Sequence, residues 1–82
     1  MLKISGHDNA ILGRACIWRN NTMVDVLVYD ADVIRDNLTR EGMDYEDARE
    51  FIHFNIEGAY KGEFTPVLVW PQDQWDDTWE DE

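Results

Sequence analysis

The 82-residue sequence holds one cysteine, two prolines and seven basic side chains. With Cys16 alone, no intrachain disulfide can form, and the chain suits a reducing compartment. The seven basic residues face 18 acidic ones, for a formal net charge of −11. That balance disfavours direct nucleic-acid binding, because phosphate contacts need a basic surface. It also disfavours attraction to an anionic membrane. No apolar run approaches the roughly 20 residues that span a bilayer. The stretch Met1–Ala10 has Lys3 but no apolar segment behind it, so no secretory signal and a cytoplasmic location are expected. The sequons Asn20-Asn21-Thr22 and Asn37-Leu38-Thr39 are then coincidental. Internal repeats and Gly/Ser-rich linkers are also missing.

Large apolar side chains are present. Four Trp, three Tyr and three Phe supply enough surface to bury, which argues against intrinsic disorder. The length allows one small domain, placed at residues 1–71, followed by an acidic tail at 72–82. Charge is uneven along the chain. Residues 1–22 carry a net +2, residues 23–72 a net −7, and residues 73–82 six acids with no base.

Residues 10–29 read as a β-hairpin. Two runs of strand formers, Ala10–Trp18 and Met23–Tyr29, flank Asn20-Asn21, a pair that tolerates positive φ and suits a two-residue type I′ turn. That turn sets the register. Ile17/Val24, Ala15/Val26 and Gly13/Val28 share one face, which is small or β-branched and expected to lie under helices. The opposite face carries Trp18/Met23, Cys16/Asp25, Arg14/Leu27 and Leu12/Tyr29.

Residues 30–42 read as a helix capped by Asp30, with Asp32 in its first turn and Ile34 and Leu38 on one face. Gly42 and Met43 supply a Schellman ending. A second helix is expected over 44–57, capped by Asp44. Its core stripe is Ala48, Ile52, Asn55, Ile56 and Ala59, widened by Phe51 and Phe54. Thr65–Trp70 reads as a third strand opened by Pro66 and expected to pair in parallel with the first. The order ββααβ is an α+β fold with the helices on one face of a small sheet.

Phe54-Asn-x-x-Gly58-Ala-Tyr60-x-Gly62-x-x-Thr65-Pro66 is the most distinctive stretch. With the Ile-Leu-Gly strand, the Val-Leu-Val-Tyr strand and the acidic helix ending Gly-Met, it resembles small acidic phage and prophage proteins over roughly residues 9–70. The resemblance implies a phage origin and the host-cell cytoplasm. It carries no catalytic residue across.

Motifs for chemistry are sparse. Asp30-x-Asp32-x-x-x-Asp36-x-x-x-x-Glu41 echoes a calcium loop, but Ile34 and Arg35 stand where a ligand and the sharp-turn glycine belong. His7, His53 and Cys16 lack zinc spacing. Cys16, opposite Asp25, is expected to be a packing residue, since a neighbouring carboxylate disfavours the thiolate. His53, between Ile52 and Phe54, reads as a packed or rim histidine. No phosphate loop, serine elbow or HExxH occurs. The expectation is a binding protein, with no enzymatic activity, cofactor or metal.

The charge then becomes the main feature. Spread over a globule of this size it averages about one per 2.7 Å, against about one per 1.7 Å for duplex DNA. The expected function is stoichiometric inhibition of a host nucleic-acid or defence enzyme, of the anti-CRISPR or anti-restriction kind, by occupying its basic surface. The expected contacts are Asp32, Asp36, Glu41, Glu46, Asp47 and Glu50 on the helices. In the tail, Trp75 and Trp79 would dock on the partner with Asp76 and Asp77 at the rim. Alternatively, Trp75 or Trp79 folds back over the sheet near Trp18 and Leu27. A second reading is a homo-oligomeric accessory protein that joins through Leu12, Trp18, Met23, Leu27 and Tyr29.

Overall fold

A computed structural model of the chain describes residues 1–58 and 62–71. Strand β1 (Ile11–Arg19) and strand β2 (Thr22–Asp30) form an antiparallel hairpin. Asn20 and Asn21 turn between them with φ of 52° and 62°, the left-handed pair a type I′ turn requires. Helix α1 (Ala31–Arg40), helix α2 (Tyr45–Ile52) with a π turn at His53–Glu57, and strand β3 (Val67–Val69) follow. The fold is ββααβ, with a three-stranded mixed sheet in the order β1-β2-β3.

The third strand pairs in parallel with β2, through Val28↔Val67, Tyr29↔Leu68 and Asp30↔Val69. The expected pairing with β1 is therefore wrong. Asp30 ends β2 and also caps α1, so the crossover leaves directly from β2 and returns to its open side. The short return strand follows Pro66, which is buried and has no N–H to contribute.

The hairpin register from Arg19↔Thr22 to Gly13↔Val28 is the one the turn dictates, but it slips at Leu12. A bulge between Ile11 and Gly13 sets Ile11, not Leu12, opposite Tyr29. Ile11 turns toward the core, and Leu12 is left 58% exposed. The helices cover the face expected to be mixed. Tyr29 is fully buried with Ile34, Leu38, Ala48, Ile52 and Ile56, and Ile11, Leu27 and Leu68 pack against that cluster. All four sheet residues lie on the Leu27/Tyr29 side by strand alternation. Val24 and Val26, on the other side, are buried apart from this core.

The N-terminal segment completes the core. Ile4 and Ala10 are buried in it, and the Ile4 amide donates to the Tyr29 hydroxyl at 2.8 Å. Helix α1 ends as its sequence implies: the Met43 amide reaches Leu38 O at 3.2 Å and the Gly42 amide reaches Thr39 O at 3.1 Å. On α2 the stripe is narrower than expected. Ala48, Ile52 and Ile56 are buried, but Asn55 is exposed and Phe54 is 70% exposed. The π turn, closed by Gly58 N–H to His53 O at 3.1 Å, inserts an extra residue per turn and rotates these side chains off the buried stripe. Ala59 lies outside the described residues. No helix among the described residues is long and apolar enough to cross a membrane.

Candidate partner-binding surface

The surface with the most consistent chemistry is the outer side of the two helices. Asp30 starts α1 by accepting the Val33 amide at 3.2 Å, and Asp44 starts α2 by accepting the Tyr45 amide at 2.9 Å. Between Asp36 and Glu50 the chain holds six acids against Arg40 and Arg49. Asp36, Glu41, Glu46, Asp47 and Glu50 are all exposed. Burial of the Ile34/Leu38 and Ala48/Ile52 stripes leaves Asp36, Glu46 and Glu50 on the opposite side of their helices and Asp47 on the flank, while Glu41 is the residue that ends α1.

Asp32 does not belong to this surface. It is 3% exposed and accepts from Arg35 Nη1 at 2.8 Å. Arg35, itself 6% exposed, also donates to the Tyr45 hydroxyl at 3.1 Å and lies 4.6 Å from the centre of the Tyr45 ring. Its other terminal nitrogen is 3.7 Å from Asp36. The guanidinium thus binds the first turn of α1 to the first turn of α2. Sequence spacing shows Asp32 and Arg35 as neighbours on a helix, but nothing local shows that they turn inward.

A second cluster gathers at the end of α2. Arg49 lies over the Trp70 ring at 4.7 Å, Trp70 Nε1 donates to Glu57 Oε1 at 3.2 Å, and His53 Nδ1 sits 3.2 Å from Glu57 Oε2. His53 is exposed, as the rim reading of its position allows. A hollow of about 410 Å³ lies alongside, lined by Ile4, Ile56, Glu57, Thr65, Leu68 and Trp70 among the described residues. Among its described lining residues Glu57 is the one ionisable group. Asp30 and Asp32, the start of the calcium-loop echo, are engaged by the helix cap and by Arg35. Among the described residues no three His, Cys, Asp or Glu side chains stand close enough to hold a metal.

The hairpin presents a different surface. Trp18 is 70% exposed and its cross-strand partner Met23 is 47% exposed. Arg14 and Asp25 stand 3.9 Å apart beside them. Cys16 is exposed, which overturns its reading as a packing residue; it projects from the half of the sheet face that the helices leave uncovered. Of the residues expected to form an interface, Leu12, Trp18 and Met23 are exposed, Leu27 is half-buried against the core, and Tyr29 is fully buried. Tyr29 leaves that surface because its ring and hydroxyl are enclosed by Ile4 and the helices.

Sequence reasoning missed one further cluster. Arg19 Nη1 donates to the carbonyls of Gly62, Glu63 and Thr65 at 3.2, 3.2 and 3.0 Å. Arg19 lies on the Ile17/Val24 side of the sheet, so it draws that loop over the strand end. Gly62 has φ of +102°, and Thr65 Oγ1 closes the turn on Gly62 O at 2.9 Å. Gly62, Thr65 and Pro66 thus serve the turn and the entry to β3. Trp75, Asp76, Asp77 and Trp79 lie outside the described residues.

No family model, no curated protein and no solved structure matches the chain.

Proposed function

We propose that this protein is a phage-encoded inhibitor that binds a host nucleic-acid or defence enzyme and occupies its basic nucleic-acid-binding surface. The observation that carries this reading is the exposed carboxylate set Asp36, Glu41, Glu46, Asp47 and Glu50 in a chain of net charge −11. Exposed carboxylates in number offer a basic groove the negative charge it meets on a phosphate backbone. Such a field also speeds encounter at low salt. The resemblance to phage and prophage proteins supports a target inside the host cell. The protein works by occupancy, so it requires no cofactor, metal or membrane.

Capture of tagged protein from host lysate tests this reading. A nucleic-acid enzyme should be recovered, duplex DNA should displace the protein from it, and affinity should fall as salt rises. Replacing Glu46, Asp47 and Glu50 together by Lys should weaken binding by about 100-fold, equivalent to about 2.7 kcal/mol. Recovery of no nucleic-acid enzyme, together with no protection of phage from host defences, rejects it.

A further inference from the structure

We infer that two copies of this chain pair through the outer edge of β1, joining their sheets into one antiparallel six-stranded sheet. β1 is the end strand of the order β1-β2-β3 and runs nine residues without proline or lysine, two of the devices that block an open edge. The opposite edge, β3, has three residues and follows Pro66.

The hairpin geometry tells which backbone groups face outward. Arg19↔Thr22 closes the two-residue turn and is therefore a hydrogen-bonded pair. Pairs alternate from there, so Ile17 and Ala15 point their amides at β2. Trp18, Cys16 and Arg14 point theirs away from the sheet. The regular ladder beyond the bulge runs from Gly13 to Arg19, and its midpoint is Cys16.

A two-fold antiparallel pairing that uses the whole ladder sets Cys16 opposite Cys16 of the second copy. It also sets Arg14 opposite Trp18 of the second copy, a cation beside an aromatic ring. About six hydrogen bonds would form between the strands. The same contact removes from water the most exposed tryptophan of the described residues.

Charge selects a second copy at this edge. Elsewhere a net charge of −11 makes copies repel. Residues 9–22 contain no acid, and their two cations are already engaged: Arg14 lies near Asp25, and Arg19 is held by three carbonyls. The β1 edge is thus close to neutral. Leu12, Trp18 and Met23 add apolar area beside the ladder.

Sedimentation equilibrium of the full chain, from micromolar to submillimolar concentration, tests the pairing with pure protein, apart from any host target. The apparent mass should double with rising concentration, and more readily in high salt, which screens the residual repulsion. Oxidised glutathione, which takes up the two thiol electrons, should give a Cys16–Cys16 disulfide dimer. Facing hydrogen-bonded residues stand about 5.5 Å apart at Cα, inside the range a disulfide bridges. Cys16→Lys should abolish the mass doubling with the circular dichroism spectrum unchanged, and Cys16→Ser should retain it. A wild-type chain that stays monomeric throughout overturns the inference. So does a dimer that survives Cys16→Lys and forms no disulfide.

Discussion

The hydroxyl of Tyr29 accepts the amide hydrogen of Ile4 at 2.8 Å, with both residues buried. This bond ties the N-terminal segment to the middle strand across 25 positions of sequence. Tyr29→Phe keeps the ring and leaves the Ile4 amide buried without its acceptor. The expected cost is about 1–3 kcal/mol. Denaturant unfolding should show it as a lower midpoint at unchanged slope.

Arg35 and Asp32 form an ion pair with both side chains inside. Arg35→Met leaves the Asp32 carboxylate without this cation and should destabilise the fold by about 3–5 kcal/mol. The double change Arg35→Met with Asp32→Leu should recover much of that loss, since a packed apolar pair replaces two desolvated charges. A double-mutant cycle by thermal or urea unfolding measures the coupling. Additive losses would show that the pair acts mainly through its other contacts.

The turn residues Asn20 and Asn21 both sit at positive φ. Asn pays less for this than most residues, and Gly pays nothing sterically. Asn21→Gly should stabilise the protein by up to about 1 kcal/mol, and Asn21→Val should destabilise it by more than 1 kcal/mol. Melting temperatures of the two variants should bracket the wild type.

Arg19 holds three carbonyls of the loop that leads into β3. Arg19→Met keeps the aliphatic stem and removes the donors. Hydrogen exchange should accelerate at Thr65 and in the Val67–Val69 strand, with little change in the amides that join β1 to β2. Global stability should fall by about 1–3 kcal/mol. Uniform acceleration across the whole chain would mean that the loop and sheet open as one unit.

Local features of the chain were legible from the residues themselves. Asn20-Asn21 specifies its turn, the turn specifies the pairing from Arg19↔Thr22 to Gly13↔Val28, Asp30 and Asp44 mark helix starts, and Gly42-Met43 marks a helix end. Each depends on contacts within a few positions, where conformational preference and hydrogen-bond reach decide the outcome. The exposure of Asp36, Glu46 and Glu50 was legible for the same reason, because helix periodicity sets them opposite the buried stripes.

Tertiary structure decided the rest. Both hairpin faces can be covered by helices as far as β alternation is concerned. The bulge at Leu12 and the Ile4–Tyr29 bond select the Leu27/Tyr29 side. The inward turn of Asp32 depends on Tyr45, which belongs to the next helix and completes the site for Arg35. The placement of β3 depends on which side of the hairpin the crossover returns to, and Arg19 secures that return through a loop more than 40 residues away. Composition, turns, caps and the acidic helix face were therefore set by the sequence alone, through short-range sterics and periodicity. Which sheet face is buried, which carboxylate is withdrawn and where the last strand lies were set only by packing, because each depends on partners that chain folding brings together.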